Sequence, residues 1–147
     1  MGATSEQTTL RPRPLELLVY VGQQVRLNRK QLEDDAAGRF YGQTQGLFTA
    51  AALHGEFAAV WNRGATELES LNKVERERVV NWEIGAIFLM AQWHAQQREG
   101  LLGEHFIRSF EWTFTGLGQR ESFREAWTFC KGSFDDSFQE YAGRYLE

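Results

Sequence analysis

Glu83 is the residue of this sequence whose surroundings most favour chemistry, because it interrupts the apolar run NWEIGAIF. A carboxylate on a mostly buried helix can have a shifted pKa and act as a general acid or base. More often such a group reaches a polar edge or pairs with an arginine, and Arg39 and Arg108 are candidates. We favour these two structural roles over catalysis and keep Glu83 as a pocket candidate.

The three histidines, His54, His94 and His105, show no spacing typical of metal ligands. Neither HExxH nor the ExxH pair of di-iron bundles occurs. The sequence therefore predicts no metal site. His94 directly follows Trp93 near the end of a predicted core helix, so these two residues are kept as candidates for a pocket rim.

Nucleophiles and phosphate-binding loops are also missing from the sequence. The single cysteine, Cys130, lies among aromatic residues in AWTFCKG, which predicts a buried, inert thiol. No serine has the GxSxG context, and the glycines form neither GxxxxGK[ST] nor GxGxxG. We therefore assign no catalytic residue and no cofactor, and lean towards a non-enzymatic protein.

Composition limits the class of protein further. The chain has 147 residues, 14% of them aromatic, which suits one domain with a real core. Both prolines precede residue 15, so the rest of the chain is free of the strongest helix breaker and an all-α fold is expected. The net charge of −4 disfavours nucleic-acid binding. One cysteine fits a reducing compartment, the cytoplasm.

The pocket candidates Glu83, Trp93 and His94 must be positioned by the predicted fold, a long N-terminal helix packed on a small bundle of about five to six helices. Residues 1–14 are expected to form a flexible tail, and residues 15–147 a single helical domain. Helices are predicted over about 15–53, 56–64, 73–98, 103–117 and 121–130, with a last one after Asp135. Asn72 and Glu75 form a capping box, and Gly100 fits a C-terminal cap. An apolar stripe predicts the inward face of the fourth helix: Phe106, Phe110, Phe114 and Leu117.

The first helix contains candidate interaction residues. Leu18, Val25 and Leu32 recur every seven residues, whereas Asn28 and Asp35 occupy the complementary seam positions. This is half of a heptad pattern, a weak indication of a coiled coil.

Further along the same helix, Gly38, Gly42, Gly46 and Ala50 recur at every fourth position. On a helix they form one stripe, where the missing side chains allow another helix to approach closely. The alternative is a frayed or broken helix around residues 38–46, because each interior glycine costs roughly 1 kcal/mol of helix propensity.

Four motifs, in the same order, resemble a family of uncharacterised small bacterial helical proteins. LVYVGQQVRLNRKQL resembles the family's LVYLAxQIRxNTxxx, and FAAVWNRGATELESLNKVERERVV resembles LWxRGLxDPxSLxExExxRF. QQREGLLGEHF is similar to QYRxGLLDExxW, and FREAWTFCKGSFDDSFQEYAGRYL to xREWWxxxxxxFSPEFxxYVDxxL. The resemblance covers about residues 17–146.

The resemblance implies a helical domain on the cytoplasmic side of a membrane, and it transfers no activity, cofactor or catalytic residue. Members have a single transmembrane helix that runs directly into the LVYLAxQIR segment. Here MGATSEQTTLRPRP stands where most of that anchor would be, and only Leu15 to Val21 is apolar. These residues are expected to be exposed or covered by a partner. The expected location is cytoplasmic, with the inner face of the cytoplasmic membrane added by the resemblance.

Two functions are compatible with these patterns. The leading hypothesis is a non-enzymatic helical interaction module that binds a protein partner or a second copy, with membrane contact through the missing anchor. The alternative is a small-molecule or lipid-binding helical bundle with an unrecognised enzymatic activity. This alternative is suggested by a surplus of aromatic residues that could line a pocket: Trp82, Trp93, Phe106 and Phe110.

Overall fold

The computed structural model describes residues 14–146, and no strand occurs in that range. The elements are α1 (Pro14–Leu53), α2 (Gly55–Arg63), α3 (Lys73–Arg98), α4 (Glu104–Leu117), α5 (Glu121–Cys130) and α6 (Asp136–Leu146), with short 3₁₀ turns at Leu68–Ser70 and Lys131–Ser133. The predicted all-α fold with a long first helix is confirmed. The predicted flexible tail lies outside the described residues, except that Pro14 belongs to α1.

The core forms around α3, which contributes buried residues from Val79 to His94. The predicted stripe of α4 is confirmed, because Phe106, Phe110, Phe114 and Leu117 are all buried. Together with residues of α1, α5 and α6, these side chains form the larger of two apolar clusters. A smaller cluster joins α2 and the following loop to the start of α3: Ala51, Phe57, Leu68, Leu71 and Val79.

Three predicted helix ends have the expected geometry. The Asn72 side chain accepts a hydrogen bond from the Glu75 backbone N–H, and the Glu75 side chain accepts one from the Asn72 backbone N–H. Gly100, just after α3, has a φ of 70°, which favours glycine. The Asp135 carboxylate accepts a bond from the Phe138 backbone N–H at the start of α6, at 2.8 Å.

Two large aromatic residues of the helices that build the core are exposed. Phe88, in the apolar part of α3, is 50% exposed, and Trp112 of α4 is 77% exposed. Trp112 lies two residues, or about 200° of helical rotation, from the buried Phe110, so the two side chains leave the helix in nearly opposite directions.

The first half of α1 extends beyond the bundle. Every residue from 14 to 32 is exposed, and we call this segment the α1 arm. It represents about 28 Å of helix at about 1.5 Å per residue. Burial begins at Ala36 and Phe40. Leu15 to Val21 are exposed, as the sequence predicts.

The glycine stripe lies on an unbroken helix, so the alternative of a broken helix at residues 38–46 is wrong. Gly38, Gly42 and Gly46 are nonetheless exposed, and a Cβ atom added at any of them would meet no atom within 4 Å. The close contact that the stripe predicts is not made within the described chain. The reason is rotational, because α1 turns Ala36 and Phe40 towards the bundle and the glycines lie on another face.

We expect Asn72→Ala to lower the free energy of unfolding by about 1 kcal/mol, because it removes the side-chain acceptor at the start of α3. The measurement is urea unfolding followed by far-ultraviolet circular dichroism. Asn81→Ala is the matched control, since Asn81 is exposed within α3 and Ala is the better helix former. Equal losses in the two variants would contradict the capping role.

Candidate functional site

A half-open groove between α1, α3 and α4 is the most promising concave surface of the described chain. Its volume is about 440 Å³, within the roughly 300–1,000 Å³ typical of small-molecule sites. We call it the aromatic groove, after six of the residues that line it: Phe40, Tyr41, Phe48, Trp82, Trp93 and Trp112. The remaining lining residues are Thr44, Leu47, Met90, Arg108, Ser109, Thr113 and Leu117.

The inner wall of the aromatic groove is fixed by packing and one hydrogen bond. The Trp93 ring lies 4.5 Å from that of Phe40 and 5.1 Å from that of Phe110, between ring centroids. The Trp93 indole N–H donates to the Gln43 side-chain oxygen, at 3.3 Å. Trp112 and Phe48 form an exposed rim. The groove therefore has a well-packed inner wall and an apolar rim that is exposed to solvent.

The polar side chains that line the groove differ in whether they can donate a hydrogen bond to a ligand. The hydroxyls of Thr44, Ser109 and Thr113 each donate to a backbone carbonyl one turn earlier in their own helix, at 2.7, 3.2 and 2.8 Å. They present lone pairs rather than protons to a ligand. Arg108 is the one charged residue among the described residues that line the groove.

Glu83 lies elsewhere, at a buried junction of α2, α3 and α5. It is fully buried, and its Oε1 atom accepts three hydrogen bonds, from Trp61 Nε1 at 3.0 Å, Arg120 Nε at 3.0 Å and Ser122 Oγ at 3.1 Å. The Arg120 guanidinium also lies 3.7 Å from the Trp61 ring centroid and donates to the Trp61 carbonyl. We call these four residues the Glu83 cluster.

The arginine that pairs with Glu83 is Arg120, rather than the candidates Arg39 and Arg108. Arg120 directly precedes α5 and is 37 positions away in sequence, so no local spacing indicates the pair. The folding of α5 against α3 brings it in. Of the two structural roles that the sequence leaves open for Glu83, the ion pair is the one present, with a partner that the sequence did not reveal.

Burial raises the pKa of Glu83, and the charge and hydrogen bond of Arg120 oppose that rise. The second carboxylate oxygen, Oε2, is buried without a hydrogen-bond partner among the described residues. Glu83 lies outside the lining of the aromatic groove. A substrate in that groove would not reach it, so the geometry gives Glu83 a structural role.

The three pocket candidates, Glu83, Trp93 and His94, are not brought into one site. Trp93 faces the aromatic groove, whereas His94 is buried on the α6 side, with ring centroids 5.6 Å from Phe138 and 4.8 Å from Tyr141. Burial lowers the His94 pKa. Consecutive residues point about 100° apart on a helix, so Trp93 and His94 meet different neighbours.

The interaction candidates are all on the exposed surface of α1. Leu18, Val25 and Leu32 belong to the α1 arm, and Gly38, Gly42 and Gly46 follow it. Sequence reasoning missed Tyr41, Phe48 and Arg108 as groove residues. Tyr41 and Phe48 lie seven positions apart on α1, a spacing that could have indicated a shared face.

The described residues contain no group of His, Cys, Asp and Glu side chains that could hold a metal ion. Within the same range, no helix is long and apolar enough to cross a membrane. Cys130 is buried, and burial raises the pKa of its thiol.

Comparison of the chain with protein-family models, with curated proteins and with solved structures gives no match. The resemblance to the small bacterial helical family therefore stays a prediction, and the geometry of the described residues carries the functional argument.

We expect Arg120→Met to lower the free energy of unfolding at pH 8 by about 3–5 kcal/mol, because it leaves the Glu83 carboxylate buried without its cation. Burial already raises the folded-state pKa of Glu83 above the ordinary 4.5, and losing Arg120 raises it further. A carboxyl with a raised pKa binds more protons when folded, so its stability contribution falls as pH rises from about 4.5 through the folded pKa. The loss should therefore be smaller at pH 5.

Urea unfolding of Arg120→Met and of wild type at pH 5 and pH 8 measures this difference. His94 also titrates in this pH range, but it does so in both proteins, so its contribution cancels when their free energies of unfolding are subtracted. Adding Glu83→Gln to the variant should restore part of the stability at pH 8. Lys73→Met is the control, because the exposed Lys73–Glu77 pair should contribute less than about 1 kcal/mol. A loss equal at both pH values would argue that only the packing of Arg120 matters.

Proposed function

We propose that this protein is a non-enzymatic helical interaction module that binds its partner, a second copy or another protein, through the α1 arm. The observation that carries the proposal is the run of large apolar side chains that the arm exposes: Leu15, Leu17, Leu18, Val19, Tyr20, Val21, Val25, Leu27 and Leu32. Soluble monomers seldom expose so contiguous an apolar surface without a use for it.

The arm also lacks the support that a helix normally needs. Most helical stability in proteins comes from packing an apolar face, and every residue of the arm is exposed. The arm contains Val19, Val21, Gly22 and Val25, all poorer helix formers than Ala. Covering its apolar side chains with a partner would supply the missing support, at about 1.5–3 kcal/mol for each fully buried Leu or Val before the costs of association.

The arrangement of the exposed residues fits a partner helix. Leu18, Val25 and Leu32 are 68%, 62% and 53% exposed and repeat every seven residues, with Val21 between the first two. Asn28 at the complementary position would favour one register over others, as single polar seam residues do in coiled coils. Beyond the arm, the exposed glycine stripe leaves room for a second backbone.

The proposed location is cytoplasmic, at the inner face of the cytoplasmic membrane. It is supported by the resemblance of four ordered motifs to the bacterial family, and by Leu15 to Val21, which are exposed and apolar on nearly all sides of the helix except at Glu16. In fractionated source cells, we expect the native protein in the membrane fraction. Carbonate extraction should release it if its membrane contact is peripheral, and should leave it in the membrane if a spanning segment holds it there. Its recovery in the soluble fraction alone would contradict this location.

For the interaction itself, we expect Val25→Glu to abolish association of the full chain, because a charge then replaces an apolar residue at the centre of the seam. Glu is a good helix former, so the arm should stay helical. Val74→Glu is the matched control, since Val74 of α3 is 64% exposed and lies outside the arm. The measurement is size-exclusion chromatography with light scattering over a range of protein concentrations.

If the partner is another protein, the same two variants serve as baits in extracts of the source organism. A specific partner should be recovered with wild type and Val74→Glu and lost with Val25→Glu. A monomer at every concentration, combined with recovery that Val25→Glu leaves unchanged, would refute the proposal.

A further inference from the structure

We propose that the aromatic groove is a binding site for a single-chain acyl carboxylate. The proposal goes beyond the interaction module, because the groove uses residues 40–48 of α1 and not the α1 arm. It rests on three features of the described residues, which are the shape of the groove, the apolar character of its lining and the placement of one cation.

The shape suits a linear apolar chain. Residues 40–48 of α1 rise by about 12 Å, at about 1.5 Å per residue, and residues 108–117 of α4 line a comparable length of the slot. With a volume of about 440 Å³, the groove is at the smaller end of small-molecule sites, which span roughly 300–1,000 Å³. Leu47, Met90 and Leu117 provide aliphatic contacts between the aromatic rings. An extended alkyl chain would cover these side chains along the slot.

The charge of the groove selects an anionic head group. The Arg108 guanidinium supplies the positive charge of the groove, and it takes part in none of the ion pairs between described residues. No Asp or Glu is among the described lining residues, although the whole chain has a net charge of −4. A cationic head group would meet Arg108 with no carboxylate in the lining to offset the repulsion.

The hydrogen-bond donors that a carboxylate needs are found at Arg108 and Tyr41, and not at the other hydroxyl groups of the groove. Thr44, Ser109 and Thr113 already donate their protons to backbone carbonyls, so they cannot satisfy a carboxylate. Arg108 provides several N–H donors in a fork that matches a carboxylate, and the Tyr41 hydroxyl is a further donor in the lining. The carboxylate would thus be held at the Arg108 rim, with the acyl chain along the groove.

The experiment titrates the full-length protein with decanoate, below its micelle concentration, and follows tryptophan fluorescence and heat. We expect saturable binding of one decanoate per chain, with weaker binding of decanol and none of decyltrimethylammonium. Octanoate should bind more weakly than decanoate, by about fourfold for each methylene that leaves the groove. Equal binding of all three head groups would overturn the assignment of an anion site.

Variants locate the site. Arg108→Gln should weaken decanoate binding by about tenfold or more and leave decanol binding unchanged, because only the charge-assisted hydrogen bonds are lost. Arg39→Gln is the matched control, since Arg39 is an exposed arginine of α1 outside the groove lining, and its affinity should equal that of wild type. Ser109→Trp should fill the groove and abolish binding of both ligands, with circular dichroism verifying the fold.

The proposal fails if decanoate does not saturate the wild-type chain, or if Arg108→Gln binds it as tightly as Arg39→Gln does. Saturable binding of 2-naphthoate in the absence of decanoate binding would show that the groove takes an aromatic acid and not an acyl chain. Loss of decanoate binding on concentration-dependent dimerisation would instead show that a second copy of the chain occupies the groove.

Discussion

The burial of one carboxylate governs how the helices of this protein are arranged. Glu83 is fully buried in the middle of α3, and a charge in that position is tolerated only with a cation and hydrogen-bond donors beside it. Arg120, Trp61 and Ser122 supply them from α2 and α5. Because all three donors converge on one oxygen atom, α2 and α5 have little freedom to shift along α3 without leaving the carboxylate unpaired.

Backbone contacts around the Glu83 cluster reinforce the same junction. The Glu121 and Ser122 backbone N–H groups, at the start of α5, donate to the carbonyls of Ala65 and Gly64 at 2.9 and 3.1 Å. They satisfy helix N–H groups that would otherwise lack acceptors. Gly64 packs tightly here, since a Cβ atom on it would lie 3.0 Å from Val79 Cγ1, which would have to move by a few tenths of an ångström. The cluster therefore lies where the smaller apolar cluster meets the larger one.

The surfaces that could bind a ligand or a partner lie in other parts of the molecule than this junction. The Glu83 carboxylate, the most unusual titratable group, is occupied in holding helices together. No side chain of the aromatic groove or of the α1 arm holds several helices together in the way that Glu83 does. Both involve α1, which is longer than the bundle it packs against, so that one part of it forms a groove wall and another part remains uncovered. The length of a single helix thus creates two separate surfaces.

Much of the fold could be read from local patterns, whereas the sites depended on long-range packing. The capping box at Asn72, the stop at Gly100 and the stripe from Phe106 to Leu117 reflect interactions within three or four residues, which sequence spacing encodes directly. The partner of Glu83 lies 37 positions away, and nothing local distinguishes Arg120 from Arg39 or Arg108. Similarly, the periodicity of α1 predicts a helix without stating where the bundle stops covering it.

The sequence by itself determined the helices, their ends, the amphipathic face of α4 and the apolar character of Leu15 to Val21, because each follows from neighbouring residue types. Only the tertiary structure decided which faces meet. It paired Glu83 with Arg120, left Trp112 exposed and left the stripe from Gly38 to Gly46 uncovered. The physical reason is that the direction of a side chain follows from its own helix, but its burial depends on where the other helices lie.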